Sequence, residues 1–144
     1  MAEPVDDLIA ELNAFEPSDD AADNDEKLQI WVDRWSETPG REQALGAMLG
    51  LLERYPDTTL LGDHGEPGPL VHAIEQVSAY EQALAESLQR MPTYYGVLMA
   101  KRILDVDLPA DAKDYWLTTL RTIAGSEGVS PVVSGYAQEI LAFE

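Results

Sequence analysis

Apolar residues in this chain recur at intervals of three and four, in runs bounded by proline and glycine. That period lines one face of a helix, whereas a half-buried strand alternates in twos. No sustained alternation rich in Val, Ile and Thr occurs. The pattern therefore predicts an all-α protein of about seven helices. Pro4 opens a short amphipathic segment with Val5, Leu8, Ile9, Leu12 and Phe15, and Leu28, Trp31, Val32 and Trp35 mark a second. A third, over about 41–55, carries Leu45, Met48, Leu49 and Leu52, with Gly46 and Gly50 placed to admit a close neighbour. Pro69 starts a fourth helix and Pro92 a fifth, each suited to a first turn that needs no N–H partner. A sixth spans about 109–124, and Ser130 is positioned to cap a seventh that begins at Pro131.

Short connections imply antiparallel neighbours, arranged as a HEAT-like stack of hairpins or an irregular helical bundle. No residue-level repeat accompanies the pattern. The reading is a single domain over 1–144: an N-terminal helix over 1–15, a mobile acidic linker over 16–24, and a main helical body over 25–144. A chain of 144 residues with 45% hydrophobic content can bury a core without staples. With no cysteine, disulfides, thiolate catalysis and Cys-type zinc sites are excluded. The N-terminus has neither a basic start nor a continuous apolar run, and no stretch approaches the roughly 20 apolar residues of a membrane helix. The expected location is cytoplasmic.

Charge restricts the partners. There are 27 acids against nine Lys plus Arg, a net −18, and residues 1–26 hold ten acids and no Lys or Arg. Such a field repels nucleic acid and anionic membranes and attracts a basic protein.

Both histidines fall in "LGDHGEPGPLVHAIEQ", residues 61–76. On a helical wheel the fourth helix buries Leu70, Ile74, Val77, Leu84 and Leu88, with Glu81 interrupting the stripe. His72 and Glu75 lie three apart on the other face, where their side chains can meet. On the fifth helix Arg102 follows the apolar face of Tyr94, Tyr95 and Leu98. A hairpin turning near Met91 returns Arg102 to the level of Glu75, so a polar clamp of His72, Glu75 and Arg102 is expected. The glycine-rich loop before it offers Asp63, His64 and Glu66 to a partner, and Tyr95, Asp105 and Asp107 are expected on the same side of the hairpin. The aromatics Trp31, Trp35, Tyr55, Tyr80, Tyr115, Trp116 and Tyr136 fall mostly at core spacings.

No phosphate loop, HExxH, calcium loop or nucleophile elbow is present, so no catalytic residue, metal or cofactor is assigned. Two alternatives to a protein that binds a basic partner remain: an acidic helical scaffold, and a metal-dependent hydrolase using His64 and His72.

The run "GEPGPLVHAIEQVSAYEQALAESLQRMPTYYGVLMAKRIL", residues 65–104, resembles a framework segment of small immunity proteins of bacterial polymorphic toxin and contact-dependent inhibition systems. Its marks are the Gly-Pro-Leu-Val-His start, a Glu three residues later, "SLQRMPT", and a helix ending in Arg-Ile-Leu. The resemblance implies a cytoplasmic, non-catalytic protein that binds a cognate toxin domain, which is in many cases a cationic nuclease. It also implies that His72, Glu75, Arg90, Pro92 and Arg102 are scaffold rather than toxin contacts.

Overall fold

The computed structural model describes residues 4–61 and 67–143. Their regular structure is entirely helical: α1 Pro4–Asn13, α2 Ala21–Ser36, a 3-10 turn Arg41–Ala44, α3 Leu45–Arg54, α4 Pro69–Gln76, α5 Tyr80–Arg90, α6 Tyr94–Leu104, α7 Ala110–Ala124 and α8 Pro131–Ala142. None of these helices is long and apolar enough to cross a membrane.

The centre of the fold is α3. Its Met48, Leu49, Leu51 and Leu52 are each at most 1% exposed, and it packs on α1, α4, α5 and α6. Helices two apart in sequence also meet, α1 on α3, α2 on α4, α3 on α5 and α6 on α8, while α7 and α8 form an intimate hairpin. This places the first five helices in two rows and closes the C-terminal end with α6, α7 and α8.

The fourth of the seven expected helices is in fact two. Val77 turns extended (ψ 130°) and Ala79 takes a left-handed conformation, φ 60° and ψ 29°. Tyr80 N–H closes the turn on the Val77 carbonyl at 3.2 Å. The break lets α4 bury Leu70, Val71 and Ile74, while α5 buries Leu84 and Leu88 in a different direction. Glu81, which interrupts the stripe of an unbroken helix, is thereby exposed.

The segment read as a mobile linker over 16–24 is held in place. Helix α2 already begins at Ala21, and the Asp20 carboxylate caps it, accepting from Ala22 N at 3.0 Å and Asp23 N at 3.3 Å. Asn24 is 1% exposed and ties two loops together, donating to the Ser18 and Leu60 carbonyls, each at 2.9 Å, and accepting from Ser18 N at 2.7 Å. Helix α1 is docked: Val5, Leu8 and Leu12 are buried, and Trp31 Nε1 donates to the Leu8 carbonyl at 2.9 Å. Arg54 closes the end of α1, donating to the carbonyls of Leu12 at 3.1 Å and Phe15 at 3.3 Å.

Gly46 and Gly50 admit no close neighbour, since a Cβ at either would meet nothing within 4 Å. The close approach is at Gly96, where a Cβ would lie 2.6 Å from Thr93 Oγ1, the cap of its own helix, and 2.7 Å from Leu88 Cδ2 on α5. Ser130 does not cap α8 with its side chain; its carbonyl accepts from Val133 and Ser134 instead. Tyr115, read as core, is 44% exposed.

A left-handed Ala is strained, because its Cβ crowds the following carbonyl. Ala79→Gly is therefore expected to stabilise the protein by about 0.5–1 kcal/mol. The result to look for is a higher urea midpoint at unchanged m-value; a lower midpoint would show that the turn carries no strain.

Candidate functional site

The last turn of α4, the first turn of α5, the end of α6 and the start of α7 surround a cleft of about 660 Å³. Glu75 and Arg102 meet on its wall, with Arg102 Nε donating to Glu75 Oε2 at 2.7 Å. The Glu75 side chain is 16% exposed and that of Arg102 is 41% exposed, so the pair is half-buried. His72 stands at its edge, 54% exposed, with Nδ1 3.9 Å from Glu75 Oε1. That separation exceeds hydrogen-bond length. The tie is thus a Glu75–Arg102 pair between α4 and α6, with His72 beside it rather than a third member bonded into it.

Tyr80, displaced to the start of α5 by the break at 77–79, lines the same cleft. Its phenol is pushed up to about 12 by burial first, and then by the nearby charges of Glu75 and Glu81, which outweigh the opposing effect of Arg102. The floor is apolar, from Ile103 and Trp116, which are 7% and 6% exposed.

A second tie links α3 to α5. Glu53 accepts from Arg90 Nε at 3.1 Å, from Arg90 Nη2 at 2.9 Å and from Ser87 Oγ at 2.9 Å. Burial pushes the Glu53 carboxyl up, but the hydrogen bonds from Arg90 and Ser87 and the Arg90 charge prevail, holding it below its ordinary value.

The sequence-derived contact residues separate into three groups. Asp63, His64 and Glu66 lie outside the described residues. Asp105 and Asp107 are exposed in the α6–α7 connection, where Asp105 receives Lys101 Nζ at 3.0 Å. Tyr95 is not a contact residue: it is 1% exposed, and its hydroxyl accepts from Leu61 N–H at 2.9 Å. Burying the ring while satisfying its oxygen pins the loop after α3 to α6. Nor does Tyr94 face outward, since its half-buried ring stacks on Tyr136 with centroids 4.7 Å apart.

Sequence reasoning missed Glu53, Tyr80, Glu81 and Trp116 as members of these constellations. The charge argument that paired Arg102 with Glu75 applies equally to Arg90, but it needs the packing of α5 on α3 to find Glu53. Among the described residues, no group of three or more His, Asp or Glu could hold a metal ion. Comparison of the chain with known protein families, with curated proteins and with solved structures found no match.

Removing Glu75 leaves a half-buried guanidinium without its acceptor. Glu75→Ala is expected to cost about 0.5–1.5 kcal/mol, since the 41% exposed guanidinium regains water, with Arg102→Ala costing less in that background than in the wild type. Thermal melts of the four members of the cycle measure this coupling; an unchanged melt for Glu75→Ala would remove it.

Proposed function

We propose that this chain is an immunity protein, which binds a cognate basic toxin domain one to one and blocks it without catalysis of its own. It acts in the cytoplasm of the cell that makes it. The observation that carries this reading is the disposition of the charges. Five of the nine basic side chains form ion pairs with carboxylates of the same chain: Lys27 with Asp23, Arg34 with Glu11, Arg90 with Glu53, Lys101 with Asp105 and Arg102 with Glu75. Two more close helix ends: Arg54 closes α1, and Arg41 lies 4.8 Å from the Trp35 ring centroid and bonds the Ser36 carbonyl. The excess carboxylates are left to face solvent, among them Asp107, Asp111 and Asp114 around the α6–α7 connection. A surface of this kind repels polyanions and accelerates encounter with a cationic protein.

The framework resemblance over 65–104 supports the same reading, and it is consistent with Glu75, Arg90 and Arg102 being engaged inside the fold. The partner chemistry that fits is a cationic domain such as a nuclease, whose substrate an acidic surface imitates.

Asp105→Lys and Asp107→Lys test the patch. Stopped-flow association with a candidate basic toxin domain is expected to slow by about tenfold at low salt for the double variant. The dependence of the rate on ionic strength should flatten as well. A rate and salt dependence equal to those of the wild type would move the contact surface elsewhere.

A further inference from the structure

The cleft beside Glu75 has a chemistry that the rest of the acidic surface does not share. Its floor is apolar, and Val106 stands at its lip with 58% exposure. Glu81 and Asp105 stand on its rim. The two cations nearest it are already engaged, Arg102 by Glu75 at 2.7 Å and Lys101 by Asp105 at 3.0 Å. Glu81 has no basic partner among the described residues. Burial first, and then the Glu75 and Glu81 charges, disfavour an anion at the Tyr80 hydroxyl even with Arg102 present.

On the far side of Asp105 a smaller cleft of about 320 Å³ continues the character of the first, with Glu139 beside Ile140 and the 85% exposed Phe143. The other large cleft, about 590 Å³ between the α5–α6 turn and α7, has no carboxylate in its lining. Apolar contact and negative charge therefore coincide at the end of α6 and not at the α5–α6 turn.

We propose that this cleft receives a Lys or Arg side chain and an adjoining aliphatic residue from a basic protein partner. The cation is directed to Glu81, its methylene stem lies along Val106 and Leu108, and the neighbouring apolar residue covers the floor over Trp116. A long cationic side chain suits such a site because its stem is apolar and its head charged. The occupant is cationic because an anionic ligand would have to approach Glu75, Glu81 and Asp105 together, against a single guanidinium already paired through its Nε. The inference rests on the reading above, in that the partner is a basic protein, and it names where that protein inserts.

The test uses the full ¹⁵N-labelled chain and the peptide acetyl-Leu-Arg-Leu-Arg-Leu-amide, with a second peptide carrying Glu in place of Arg. The three tryptophans provide the readout. The Trp31 and Trp35 indoles donate to the Leu8 and Arg41 carbonyls inside the N-terminal half, and so serve as controls for Trp116. The Trp116 indole signal is expected to move saturably with the Arg peptide while the other two stay fixed, and the Glu peptide should leave all three in place. Glu81→Lys is expected to weaken the Arg peptide by about tenfold. Val106→Ser, at an exposed turn position that leaves the fold intact, should weaken it several-fold. An immobile Trp116, an equal response to the Glu peptide, or unchanged affinity in both variants overturns the inference.

With a toxin domain itself, association slowed by Asp107→Lys but untouched by Glu81→Lys and Val106→Ser overturns the cleft and leaves the immunity reading standing. A selective Trp116 shift in a chain that binds no toxin domain upholds the cleft and removes the immunity reading.

Discussion

The fold depends on how a chain with 27 acids uses nine cations. Five of the nine act as fasteners between or at the ends of helices, three on carboxylates and two at helix ends, while Lys27 and Lys101 each pair with a carboxylate four residues away on the same helix or its cap. Three of these set tertiary register: Arg34 joins α2 to α1, Arg90 joins α5 to α3 and Arg102 joins α6 to α4. Lys113 and Arg121, both on α7, have no ion pair among the described residues. With seven of the nine cations engaged within the molecule, the surplus of carboxylates among the described residues faces solvent.

Around these ties the packing is ordinary, and that is why so much of it is legible from spacing. Leu8 and Leu12, Trp31 and Trp35, Leu49 and Leu52, and Leu84 and Leu88 fall at helical intervals and are all buried. The pairing of Glu75 with Arg102 could be reached from the chain because a cation on an apolar face requires an acceptor, and a hairpin brings only a few carboxylates within reach.

The features that escaped sequence reasoning share a cause: each is fixed by tertiary context without a local signal. The break after α4 occurs at Val77-Ser78-Ala79, with no Gly or Pro to announce it, and there packing outweighs the cost of a left-handed Ala. Asn24 sits in a run of acids that resembles a solvated linker, yet its amide is the buried tie between two loops. Tyr95 belongs to the core because the loop at Leu61 needs its hydroxyl, a relation spanning 34 residues. Gly46 and Gly50 have the spacing of a close helix contact and none of its geometry, whereas the close approach falls at Gly96. The first of these bears on the site, since the break brings Tyr80 and Glu81 to the cleft.

The central claim is that the carboxylates left over from internal pairing are what a basic partner recognises. It is tested most directly by expressing a candidate basic toxin domain with and without this chain, and by following the purified pair across a salt titration. The account predicts restored growth and a one-to-one complex whose affinity falls steadily as ionic strength rises. Growth arrest that persists in the presence of the chain, or a complex equally tight at low and high salt, would contradict it.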